Sequence, residues 1–259
     1  MTALPVLLSI PHGGMDVPEE IRDRVAIDAH DVHDDIDPFV RELYDLGPKV
    51  LHVVSTSTAR TFVDLNRARD DRPPKNPDGV VKTLTCVGKT IFAPGRELDA
   101  PVTETLLERY YEPYHRRLGS AVQSAGARLA LDCHSMQAVG PVISPDAGRP
   151  RPVFCLGNAR GDACSDEVTQ RLADCLRRAF DLREDDVTLN EPFSGGYITR
   201  AYGGRPLPWI QVEMNRSLYL ASPWFERATL AMDPRRLAEI RGRFESALRR
   251  FFDSSGKTE

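Results

Sequence analysis

Short apolar runs recur along this chain, and most end on a polar or glycine-bearing turn. Val6 to Ile10, Lys49 to Val54, Arg60 to Leu65, Arg128 to Cys133, Val153 to Leu156 and Ile210 to Glu213 have the length of buried strands. Helical spacing takes over at Pro38 to Leu46, Thr103 to Ser124, Ser165 to Phe180 and Asp233 to Phe252. Proline falls in the first turn of the first and last helices, where its missing N–H does no harm. Thr103 is placed to cap the second helix, and Pro113 predicts a kink in it. Strands alternating with helices predict one three-layer α/β domain over residues 1–259, with a mixed, largely parallel sheet flanked by helices. Residues 68–101 are rich in Pro, Gly, Asp and Lys and read as a long loop or lid. Residues 138–152 read as a second loop, 190–204 as a glycine-rich stretch of the kind that lines active sites, and 253–259 as a frayed tail.

Composition narrows the partners. The net charge of −4 and the scattered basic residues argue against nucleic acid as a ligand. The cluster Arg241, Arg243, Arg249 and Arg250 reads as a solvated helix face. No apolar stretch approaches the roughly 18–20 residues that cross a bilayer, and Leu4 to Ile10 lacks the basic flank of a signal peptide. The expectation is a cytoplasmic protein with no membrane partner; the sequence does not set its oligomeric state. Five cysteines, an odd count without a C-x-x-C pair, argue against a disulfide framework or a zinc knuckle. Cys133 adjoins His134, but strand alternation points the two side chains to opposite faces, which argues against a cysteine nucleophile.

Four separated fragments carry the chemistry: Ser9-Ile10-Pro11-His12-Gly13-Gly14, Asp64-Leu65-Asn66-Arg67, Leu131-Asp132-Cys133-His134-Ser135 and Trp209-Ile210-Gln211-Val212-Glu213. Each lies at or just after an expected strand, and strand ends converge on one crevice in an open α/β sheet. His12 and His134 suit a catalytic zinc site, which commonly takes three protein ligands and leaves one position for water. The third ligand is sought in the acidic run His30 to Asp37, where Asp34, Asp35 and Asp37 compete with His30 and His33. Asp37 is the first choice, since it stands immediately before the expected helix, and Asp35 the second; an N-cap would place an Asp there equally well. Asp132, two residues before His134, is positioned to orient that imidazole. Asn66 with Arg67 forms a carboxylate clamp, and Arg60 and Arg200 add two further cations, so the expected substrate is anionic. Glu213 ends an apolar strand and suits a proton-accepting base; the structural alternative is a salt bridge to Arg216.

These stretches, with Pro192 to Arg200, Arg216 and Tyr219, resemble the N-formylglutamate amidohydrolase family over residues 9–219. That family is similar in fold to zinc carboxypeptidases and aspartoacylase. The resemblance implies His12, His134 and one acid on a single Zn2+, Asn66 and Arg67 on the substrate carboxylate, Arg60 at the oxyanion and Glu213 as base. It departs from the carboxypeptidases at Met15, where they carry a metal-binding Glu three residues after the first His, so the acid comes from Asp35-Ile36-Asp37. The implied reaction is hydrolysis of N-formyl-L-glutamate to formate and L-glutamate, with Arg200 on the side-chain carboxylate. Two other readings use the same residues: deacylation of another N-acyl amino acid, and non-catalytic binding of amino-acid-like anions.

Overall fold

Along β1 (Leu4–Ile10), Leu4, Val6, Leu8 and Ile10 point into one apolar layer, while Leu7 and Ser9 point to the other side. The same alternation governs β3 (Leu129–Met136) and β6 (Trp209–Asn215). In all three strands one face is apolar and the other turns polar toward the carboxyl end. A computed structural model describes residues 2–142 and 144–254, without the side chain of 254. The sheet runs β2-β1-β3-β6-β4-β5, adding β2 (Val50–Ser55), β4 (Phe154–Gly157) and β5 (Val187–Leu189). β2, β1, β3 and β6 are mutually parallel, and β4 reverses against β6. The expected mixed, largely parallel sheet is therefore present.

Register does the positioning. Ser9 pairs with Asp132 and Asp132 with Gln211; His134 pairs with Glu213. Polar side chains from three strands thus share one face near the sheet's carboxyl ends. Cys133 faces the opposite, apolar layer, and burial pushes its thiol up.

Helices cover both faces. On the first lie α2 (Val40–Tyr44), α5 (Asp166–Phe180) and α7 (Pro234–Ser254), packed through Leu43, Leu172, Leu176, Phe244 and Leu248. Ser165 caps α5 by accepting the Val168 N–H. The second face carries α3 (Ala100–Leu106), a π-helical turn at Leu107–Tyr111 and α4 (Glu112–Gln123) in one continuous run. Asp99 rather than Thr103 caps this run, so it starts three residues earlier than expected. The expected kink takes the form of the π turn: Pro113 has no N–H to donate one turn back, and the wider turn absorbs the loss.

Three expectations need correction. Arg60 to Leu65 is a series of turns, with Phe62 and Val63 both donating to the Ala59 carbonyl. Its apolar residues are buried under the following loop, not paired in the sheet. The acidic run contains a helix, α1 (Ala29–Asp35), opened by a capping box between Asp28 and Asp31. A further short helix, α6 (Tyr197–Tyr202), lies within the glycine-rich stretch. The 68–101 segment is long and irregular until α3 begins, and its Val80, Val81, Ile91 and Phe92 are buried in the second apolar layer. The terminal helix extends two residues past Phe252, while 255–259, most of the expected tail, lie outside the described residues. No described helix is long and apolar enough to cross a membrane.

Candidate metal centre

His12 leaves the end of β1 just before two glycines. A β-carbon at Gly14 would sit 2.2 Å from the Ser57 carbonyl, so only glycine lets these backbones pass. The His12 carbonyl then accepts the Asp37 N–H at 3.1 Å, which ties the turn after α1 to the histidine. His134 arrives from β3. The three side chains meet: His134 Nδ1 lies 3.1 Å from His12 Nδ1 and 3.0 Å from Asp37 Oδ2, and His12 Nδ1 lies 3.5 Å from the same oxygen. All three are buried, and together they form a group that could hold a metal ion.

The outer ring nitrogens test the fit. His12 Nε2 is 2.7 Å from Asp64 Oδ1, and His134 Nε2 is 3.1 Å from Asp132 Oδ1. A carboxylate oxygen accepts, so an Nε2–H on each ring donates to its Asp and frees Nδ1 to act as a ligand, with the Asn66 Nδ2 amide also 3.1 Å from His134 Nε2. Two lone pairs and a carboxylate oxygen then converge, an arrangement that only a proton or a cation stabilises. Ligand atoms about 2.0–2.2 Å from a tetrahedral zinc stand roughly 3.3 Å apart, which these separations bracket. The residues therefore fit a zinc ion. Where a proton rather than a cation takes that place, hydrogen bonds from the two rings, against the cost of burial, hold Asp37 well below the usual carboxylate range. Burial also opposes charge on His134, but Asp132 and then Asp37 raise it well above an ordinary histidine.

The other acids of the run have other partners. Asp35 receives the buried Lys82 ammonium on both oxygens, at 3.0 and 2.9 Å. Asp34 pairs with Arg227 at 2.7 Å toward the surface. His33 stacks on Phe225 with ring centroids 5.3 Å apart. Asp37 alone of the five candidates reaches both imidazoles. Its Oδ1 accepts from Arg216 Nη2 at 3.0 Å, so Oδ2 is left for the histidines. This Arg216 pairing replaces the bridge to Glu213 that the sequence offered as an alternative.

Around the trio opens a cleft of about 350 Å³. Glu213 lines it and is buried beside His134. Its Oε1 accepts from Gln211 Nε2 at 2.6 Å, and it has no ion pair among the described residues. Burial first of all, opposed by His134 and reinforced by Asp37, pushes its carboxyl up to about 7. Arg60, Asn66 and Arg67 also line the cleft. Arg60 donates to Asp64 Oδ2 at 2.7 Å, while its Nε is buried without a hydrogen-bond partner. Arg67, a third exposed, pairs with Asp78 at 2.7 Å. Asn66 accepts the Ile198 N–H at 2.7 Å and donates to Asp132 at 3.3 Å, so its amide also holds the site together. Arg200 does not join the cleft lining: it is exposed on α6 and donates to the Gly195 carbonyl and Ser194 Oγ.

Three residues the sequence reading left out of its site assignments stand out. Asp64 is a hub that accepts from His12, Arg60 and the Asn66 N–H. Its place in Asp64-Leu65-Asn66-Arg67 was the available signal. Arg216 pins Asp37. Arg151 lines the cleft with Phe193, and nothing in its sequence context marked it. It closes the 138–152 loop, which bonds largely to itself: Gly140 N–H to Arg149, Gly148 N–H to Gly140 and Arg151 N–H to Ala138.

The sequence model described as N-formylglutamate amidohydrolase matches residues 4–220. An N-formylglutamate deformylase of Pseudomonas putida is 29% identical over 88% of this chain and 87% of its own. One of Pseudomonas aeruginosa is 29% identical over 95% and 93%. Among solved structures, an N-formylglutamate amidohydrolase from Ralstonia eutropha JMP134 superposes with a TM-score of 0.76 at 23% identity, covering 99% of this chain and 96% of that one. That likeness establishes the shared fold.

Proposed function

The chain belongs to the N-formylglutamate amidohydrolase family, and on that premise we propose that it is a zinc-dependent amidohydrolase cleaving N-formyl-L-glutamate to formate and L-glutamate. The observation that carries the reading is the buried convergence of His12 Nδ1, His134 Nδ1 and Asp37 Oδ2 in one cleft with Glu213. These three atoms would hold the ion. When bound, zinc supplies Lewis acidity toward the amide carbonyl and acidifies water.

The chain's own residues do the rest. Glu213, with its carboxyl near 7, accepts the proton of the attacking water and returns it to the departing amine nitrogen. Gln211 fixes one Glu213 oxygen and so aims the other. Arg60 lines the cleft and stabilises the oxygen on which negative charge develops, and Asp64 holds that guanidinium in place. Arg67 and Asn66 take the α-carboxylate; Arg67 exchanges the loop acid Asp78 for the substrate.

Formate release from N-formyl-L-glutamate tests this, measured after chelation and after zinc is added back. Activity that disappears with chelator and returns with zinc is the expected result. A fully zinc-loaded protein that releases no formate would overturn the assigned substrate.

A further inference from the structure

We propose that Arg151 selects substrates whose side chain ends in a carboxylate. This rests on the reading of the cleft as an N-acyl amino-acid site, and it says which residue reads the far end of the substrate.

Four arginines line the cleft: Arg60, Arg67, Arg151 and Arg216. Two are committed to the metal side. Arg60 pairs with the buried Asp64, and Arg216 spans Asp37 and the Ile36 carbonyl. The other two pair with acids on loops, Arg67 with Asp78 and Arg151 with Asp146, and both acids are part-exposed. A dicarboxylate needs two cations, and these are the two whose partners can yield.

Arg151 is built to receive a planar anion. Its side chain is only 5% exposed, and its guanidinium lies over the Phe193 ring at 4.9 Å. Asp146 takes Nε and Nη2 at 2.7 and 2.9 Å, while Nη1 has no hydrogen-bond partner among the described residues. A guanidinium stacked on one side and forked on another loses little freedom when it binds, so a carboxylate at its open edge is well oriented. Its backbone is also anchored: Asn215 Nδ2 donates to the Arg151 carbonyl at 3.1 Å, and Asn215 lies two residues beyond Glu213 on β6, which ties Arg151 to the strand that carries the base. Arg200, exposed and bonded to its own turn, has neither property.

The test is kcat/KM for N-formyl-L-glutamate and N-formyl-L-glutamine on zinc-supplemented wild type, R151Q and D146N. The two substrates differ only at the side-chain terminus. In R151Q the value for glutamate should fall roughly 100-fold and that for glutamine less than about threefold, so the preference collapses. D146N should sharpen the preference for glutamate, because the competing acid is gone. The ratio is taken on one preparation, so a partly misfolded variant does not distort it. An unchanged ratio in R151Q, or an equal fall on both substrates, overturns the inference. A wild type active on both substrates equally overturns it while leaving the amide-hydrolase reading in place. A wild type inert on both removes that reading and this inference with it.

Discussion

The cleft has a strand-built half and a loop-built half, and they hold their side chains by different means. His134, Asp132, Gln211 and Glu213 sit on β3 and β6 in fixed register, fully paired by the sheet. Arg60, Asn66, Arg67 and Arg151 come from turns and loops and are held by side-chain bonds to acids and, for Asn66, to the Ile198 backbone N–H. The first half is rigid because the sheet cannot slip without turning its polar row into the apolar layer. The second is rigid only while its ion pairs last, and two of these pairs are part-exposed. On the proposed reading, the base Glu213 and the ligand His134 lie in the strand half, and the arginines that grip the substrate carboxylates lie in the loop half.

That division can be broken by mutation. The largest effect is expected in the strand half: Glu213→Gln should lower kcat about 10²–10⁴-fold with metal content unchanged. Metal analysis beside steady-state kinetics checks this, and normal turnover in the metal-loaded variant would remove Glu213 from the mechanism. Asp64→Asn comes next, because it loosens the orienting bond on His12; metal affinity should fall roughly 10–100-fold by competition with a chelator. If affinity holds, Asp64 serves Arg60 alone. Arg67→Ala should act mainly on KM, raising it about tenfold, since the residue is a third exposed and its bonds are solvent-screened. An equal loss in kcat would move Arg67 out of the loop half's role. The smallest effect sharpens the comparison through pH. A base acts when unprotonated, so with Glu213 near 7 the rate should climb as pH rises through about 7. The same limb should persist in Arg67→Ala and disappear in Glu213→Gln.

The strand half was legible in the sequence because alternation is a local property. Apolar-polar spacing in Leu129 to Met136 sends Cys133 one way and His134 the other, and the structure agrees. The loop half resisted because its order comes from distant partners. Arg60 to Leu65 is as apolar as a strand, yet its burial is supplied by Val80, Ile91 and Phe92. Which acid meets the histidines could not be deduced from the run Asp34 to Asp37, since Lys82 occupies Asp35 and Arg227 occupies Asp34 from far along the chain. Arg200 and Arg151 are alike as letters; only the fold places the second in the cleft and leaves the first at the surface.

The 138–152 loop, closed on itself by its own backbone bonds, carries Arg151 into the cleft without contributing any of the His12, Asp37 and His134 ligand atoms. On the role proposed for Arg151 it is a cassette: exchange of this one segment would alter which side chain is accepted and leave the His12, Asp37 and His134 trio in place.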